Sequence, residues 1–129
     1  MIVIDASAVI EALVGSAPDD RLLDALTEDL EAPHVLDVEV LSVLRGLVLG
    51  GKLEPRRAEV ALADYLDLHI HRREAGPLAE RIWALRHQFT SYGAAYIALA
   101  EALDAPLLTC DRKLATDGHR AEVEVLPLS

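Results

Sequence analysis

The sequence predicts an α/β protein, a three-layer α/β/α sandwich around a central parallel sheet, and three observations lead there. Short apolar runs such as MIVID at 1–5 and PLLTC at 106–110 have the character of strands buried on both faces. Between such runs lie segments whose apolar residues recur at helical spacing, and strands separated by helices need right-handed crossovers that cover a parallel sheet on both sides. The 129 residues show no internal repeat and no low-complexity linker, so one domain over residues 1–129 is expected.

The elements follow in order. MIVID is the first strand, and ASAVIEALVG follows as a helix with Ala8, Ile10, Leu13 and Val14 apolar. Pro18 can open a second helix in which Leu22, Leu23, Leu26 and Leu30 recur at helical spacing. APHVLD then supplies a short extended piece around Val35, and Asp37 is placed to cap a third helix, VEVLSVLRGLVLGG, which Gly50 and Gly51 end. Pro55 starts a fourth helix that runs to about Leu66, and LHIHR at 68–72 alternates like a strand. AGPLAERIWALRHQF reads as a helix. A further helix after Thr90, the PLLTC strand and a terminal strand in VEVLPL, bounded by Pro127, complete the chain.

Composition narrows the function. Acidic residues outnumber basic ones by 22 to 12, a net charge of −10 that argues against holding nucleic acid through overall charge. Any such contact must be local, at Lys52 with Arg56 and Arg57, at Arg72 and Arg73, or at Arg112 and Lys113. The same charge suits a basic partner or carboxylates gathered around a divalent cation. Hydrophobic residues make up 52%, yet no stretch is long and uncharged enough to span a membrane. With no export signal at the start, a cytoplasmic address is expected. Cys110 is the only cysteine, which excludes an internal disulfide and reads as a small buried hydrophobe.

In open parallel sheets, chemistry gathers beyond the carboxyl ends of the strands. Asp5 closes the first strand and Asp111 follows PLLTC, so both should project from one edge. Each is also explicable as a helix cap. Ser7 and Thr109 stand two residues from these acids as candidate supports, and Asp117 is a candidate extension of the cluster. Glu39 is expected in the first turn of the third helix, among Val38, Val40, Leu41, Val43 and Leu44, where a carboxylate wants a partner or a metal. His69 and His71 share one strand face but lack a third ligand, and His34, His87 and His119 show no metal spacing. Trp83, Tyr92 and Tyr96 are too few for a base-stacking platform, and Trp83 is expected to pack between helices.

Gly93 is the odd residue. With Thr90 as N-cap it is the third residue of its helix, where Asp, Glu or Gln would answer the cap and the dipole, whereas glycine does neither and costs up to about 1 kcal/mol against alanine. Close packing against another backbone would be the ordinary reason for it.

The segments VIDASAVIEAL, VLDVEVLSVLRGLV and FTSYGAAYIALAEALDAPLLTCDRKLA together resemble a PIN domain of the VapC type, the toxins of bacterial toxin–antitoxin pairs. The likeness covers nearly the whole chain and is most specific at the end, where the family typically reads T-x-Y-D-A-x-Y-x-A-L-A, a small linker, a strand and T-x-D. It implies a magnesium-dependent endoribonuclease, with manganese as a substitute ion. The family's four acids map to Asp5, Glu39, position 93 and Asp111, so Gly93 stands where the third aspartate would. The resemblance therefore implies Asp5 as central ligand, Asp111 as second ligand or water-positioner and Glu39 as ligand or general base, in a chain whose activity the glycine abolishes or weakens.

Magnesium prefers oxygen ligands and keeps several waters, and acids brought together without a cation would raise one another's pKa. The implied partners are an RNA substrate, a VapB-like antitoxin placing an arginine among the carboxylates, and a second copy of the chain. Surplus apolar surface at Val43, Leu47 and Val48 agrees with a homodimer. A non-catalytic scaffold that only binds an antitoxin is the alternative. A receiver-like signalling domain fits less well, because Ala6 follows Asp5 where an acidic pair is needed and no lysine follows the last strand.

Overall fold

Strand β1 (Ile2–Ile4) is wholly buried and forms the middle of a five-stranded, all-parallel sheet in the computed structural model, which describes residues 1–129. The other strands are β2 (Leu30–Pro33), β3 (Ile70–Arg73), β4 (Leu107–Thr109) and β5 (Val123–Val125), in the order β3-β2-β1-β4-β5. Val3 registers with Glu31 on one side and with Leu107 on the other. The chain builds outward from β1 through β2 to β3, then returns to lay β4 against β1's free side. The strand order therefore reverses between β1 and β4, the place where such sheets present their ligands.

Six α-helices cover the sheet: α1 (Ala6–Val14), α2 (Asp20–Ala25), α3 (Val35–Leu49), α4 (Pro55–Asp67), α5 (Ala79–Ala84) and α6 (Ser91–Leu103). Helix α1 packs on α3 and α4, while α6 packs on β1, β2 and α5. This is the three-layer arrangement expected. One cluster of 30 buried side chains fills it, including Val3, Ile4, Leu36, Ile97 and Leu107. Helix α6 contributes an almost unbroken buried run from Ala94 to Ala100, as small residues let it lie close on the strands. No helix is long and apolar enough to cross a membrane.

Four local expectations need correction. Leu30 is not helical: α2 stops at Ala25, and Leu30 opens β2 opposite Ile2 of β1, its spacing from Leu26 being coincidental. Asp19, accepting from the Arg21 N–H at 2.8 Å, rather than Pro18, starts α2. Val35 belongs to α3 and not to an extended piece, so Asp37 lies inside the first turn instead of capping it, and Glu39 falls in the second turn. AGPLAERIWALRHQF resolves into a 3-10 turn at Gly76–Leu78, the short α5 and further turns. There the Leu85 N–H is shared between the Arg81 and Ile82 carbonyls as the ladder tightens. Gly50 and Gly51 do end α3, with Gly51 at φ 71°, and Pro55 does begin α4.

Candidate active site

Asp5 is built into the edge of the sheet by its own backbone. It follows β1 and caps α1, its Oδ1 accepting from the Ala8 N–H at 3.0 Å and from the Ser7 hydroxyl at 2.7 Å. Its Oδ2 accepts from the Thr109 hydroxyl at 2.5 Å, a bond that crosses from β1 to the end of β4. The Ser7 hydroxyl in turn accepts from the Cys110 N–H at 2.9 Å. Asp5 is only 6% exposed. Burial pushes its pKa up, the three hydrogen bonds pull it back, and the nearby charge of Asp111 raises it further. The helix-cap reading and the site reading of Asp5 are therefore both true of one carboxylate, and Ser7 and Thr109 are the groups that orient it.

Glu39 reaches the same region from α3. It is partly buried, and its Oε1 accepts from the Tyr96 hydroxyl of α6 at 2.6 Å. Burial raises its pKa, with the charge of Asp5 adding to the rise and the tyrosine opposing it. The carboxylate among apolar neighbours thus has a protein partner, one that sequence reasoning did not assign. The signal was present in the spacing, since Tyr96 falls three residues after Gly93 and hence on the same face of α6.

Asp111 follows β4 and caps a 3-10 turn at Arg112–Ala115, its Oδ1 accepting from the Lys113 N–H at 3.0 Å. It is exposed. Thr90 caps α6 as expected, its hydroxyl accepting from the Gly93 N–H at 3.2 Å. A β-carbon built on Gly93 would meet Leu114 Cδ2 at 3.1 Å, then Thr90 Oγ1 at 3.7 Å. Both neighbours are side chains and the backbone there is ordinary helix, so neither close backbone packing nor a left-handed conformation explains the glycine.

Asp5, Glu39, Gly93 and Asp111 all line one groove of about 790 Å³ at the carboxyl edge of the sheet, together with Ser7 and Tyr96. Thr109, fully buried, supports Asp5 from behind. Asp117 stays outside: it is exposed, and Gln88 donates to its backbone carbonyl. The fit to a hard cation is one of chemistry. All three acids offer oxygen, and Glu39 Oε2 and Asp111 Oδ2 receive no hydrogen bond from the protein. No three His, Cys, Asp or Glu side chains stand close enough to form a ready-made cation cage. A magnesium ion keeping most of its water would suit such a spread set better than one needing direct ligands throughout.

The remaining candidates divide cleanly. Arg72 is bound by Asp37, with Nε and Nη2 on the carboxylate at 2.9 to 3.1 Å, and the Tyr65 hydroxyl donates to the same carboxylate at 2.5 Å. Arg73 is paired with Glu31 at 2.9 Å. His71 lies on the edge strand β3, 3.5 Å from Glu31. Trp83 does not pack between helices: it is exposed, with the Arg86 guanidinium over its ring at 4.6 Å. Val43 and Leu47 line the groove and Val48 packs on the core, while Val38, Leu41, Val43 and Leu49 are the exposed large apolar residues of α3.

A parallel sheet with an acidic groove at its topological reversal defines an open α/β protein with its ligand site at the carboxyl edge of the strands. Within that class the chain belongs to the PIN domain family, whose pattern it matches over residues 2–117. It is 37% identical to Ribonuclease VapC12 of Mycobacterium tuberculosis over 131 aligned positions, covering 98% of this chain and 99% of that protein. Among solved structures it is similar to Mycobacterium tuberculosis VapC20, a sarcin-ricin loop cleaving toxin, with a TM-score of 0.69 at 14% identity over 93% of this chain and 97% of that one. A toxin–antitoxin complex from Klebsiella pneumoniae is similar with a TM-score of 0.59 at 19% identity, covering 88% of each chain.

Proposed function

We propose that the chain is the toxin of a type II toxin–antitoxin pair, built as a magnesium-dependent endoribonuclease that hydrolyses RNA phosphodiester bonds, with its activity abolished or severely weakened by Gly93. The observation that carries the reading is the groove itself, which acids from three separate segments and the glycine all line. The kinship to ribonucleases and to a toxin of known target supports the substrate class.

In this reading Asp5, Glu39 and Asp111 hold Mg2+, or Mn2+ in its place. When bound, the ion supplies charge stabilisation on the phosphodiester during in-line displacement and makes water a better nucleophile. The chain supplies geometry. Ser7, Thr109 and the Ala8 N–H lock Asp5, so its carboxylate is presented without further ordering, and Tyr96 fixes Glu39. Asp111, the most exposed of the three and bonded through one oxygen, suits water positioning.

An antitoxin segment carrying an arginine would find the same carboxylates, and the kinship to a toxin–antitoxin complex supports a VapB-like partner. A homodimer is proposed from the exposed apolar residues of α3. A purely binding scaffold is the second reading, favoured by Gly93 and by the absence of a preformed cage. RNA cleavage by a Gly93→Asp variant separates the two. The nuclease reading expects magnesium-dependent cleavage that a chelator stops and that Asp5→Asn abolishes. A variant as inert as the parent overturns it.

A further inference from the structure

Of the 12 lysines and arginines, four are committed to ion pairs within the protein: Arg21, Arg72, Arg73 and Arg81. Among the uncommitted cations, Lys52, Arg57 and Lys113 line the acidic groove, with no carboxylate within ion-pairing distance. Lys52 sits in the turn after α3, Arg57 in the first turn of α4 and Lys113 two residues after Asp111, so cations from different elements share the groove with the acids. The groove wall also carries Tyr92, which is 59% exposed although it is one residue from Gly93.

We infer that Lys52 and Arg57, which line the groove from the α3–α4 turn and the start of α4, hold backbone phosphates of a single-stranded RNA next to the acidic site, and that Tyr92 stacks on one of its bases. The inference rests on the nuclease reading of this groove and goes beyond it by assigning the substrate's form and its contacts. A strand laid across carboxylates is repelled by them, so flanking phosphates need local positive charge, and unpaired cations at the groove provide it. The exposed tyrosine adds a flat apolar face that an unstacked base can cover, something a duplex with its bases paired and stacked does not offer.

The test uses the protein as it stands, with Gly93, in chelator, so that binding is read without cleavage. A fluorescein-labelled single-stranded RNA of about 16 nucleotides, the upper end of known single-strand site sizes, is titrated by anisotropy over a series of salt concentrations. Each lost phosphate contact on a single strand removes about 0.7 from the slope of log affinity against log salt, so Lys52→Ala/Arg57→Ala lowers the slope by roughly 1.4. Tyr92→Leu weakens binding roughly 5- to 100-fold while leaving the slope unchanged. Arg45→Ala, which removes an unpaired cation outside the groove, changes neither. All four side chains are exposed, and unchanged melting temperatures verify that the variants fold.

No binding at low salt, an unchanged slope in the double variant, or an equal loss in Arg45→Ala overturns the inference. Failure of the nuclease reading is seen separately, in the inertness of Gly93→Asp.

Discussion

The Tyr96 hydroxyl donates to the Glu39 carboxylate at 2.6 Å, joining α6 to α3 one helical turn beyond Gly93. Tyr96 is 2% exposed and burial among carboxylates drives its pKa far up, so it remains a donor at every accessible pH. Groups that orient a ligand typically matter by 10- to 100-fold in metal affinity. In a Gly93→Asp background, Tyr96→Phe is expected to weaken Mn2+ binding by about that factor, read by calorimetric titration. Unchanged affinity would reduce Tyr96 to a packing residue.

Asp5 is a buried acid whose charge the fold does not welcome, despite three donors. Its folded pKa lies above the unfolded value, so its contribution to stability is full below the unfolded pKa and lost as pH rises through the folded one. At neutral pH Asp5→Asn is therefore expected to match or exceed the parent in stability, by up to about 2 kcal/mol, while cation binding falls. Thermal melting with and without MgCl2 checks both halves. A large loss of stability would show that the carboxylate is kept for the fold.

The opposite sign applies to Glu101. Its carboxylate accepts from Arg81 Nε at 2.7 Å and Nη2 at 2.9 Å and from the Arg120 N–H at 2.8 Å, and these hold its pKa down at about 2. Stability from this group is present above its ordinary value near 4.5 and is lost as pH falls toward 2. Glu101→Gln is expected to lose about 1–3 kcal/mol at pH 7 and to show a weaker dependence on acid than the parent. Parallel acid curves would refute this.

Asp37 shows how local sequence signals mislead. As a cap it would tolerate Asn or Ser with little change. In the structure it closes a cluster with Tyr65 of α4 and Arg72 of β3, whose guanidinium also lies 5.7 Å from the tyrosine ring. Asp37→Ala leaves a buried hydroxyl and a half-buried guanidinium without their acceptor, at an expected cost of about 3 kcal/mol or more. A loss below about 1 kcal/mol in urea denaturation would restore the cap reading.

These cases mark what the chain discloses unaided. The parallel sheet was legible because MIVID and PLLTC are buried on both faces and carry no competing period, and Thr90, Gly50 and Pro55 punctuate helices through local chemistry. Leu30 was misplaced because a strand entering next to a helix can continue the helical spacing by chance, and only pairing with Ile2 reveals it, while Val35 was misplaced the other way, read as extended where α3 has already begun. Asp5, Glu39 and Asp111 were legible by their positions at strand ends or amid apolar residues. Thr109 was legible too, as a support two residues from Asp111, whereas Tyr96 and Arg72 were not assigned to Glu39 and Asp37, contacts made through tertiary packing across 57 and 35 residues of chain.

The central claim is that position 93 is an emptied place in a cation site. A β-carbon there comes tightly against Leu114 Cδ2 alone, at 3.1 Å, with Thr90 Oγ1 at 3.7 Å and Phe89 Cβ at 3.9 Å in ordinary contact, so a side chain can start from position 93 with a small shift of the leucine tip. Manganese titration of the parent and of Gly93→Asp, followed by electron paramagnetic resonance of free Mn2+, tests it most directly. The account predicts affinity at least about 10-fold higher in Gly93→Asp, with the gain absent in Gly93→Asn and abolished by adding Asp5→Asn. Equal affinity in parent and Gly93→Asp, or a gain that survives Asp5→Asn, would contradict it.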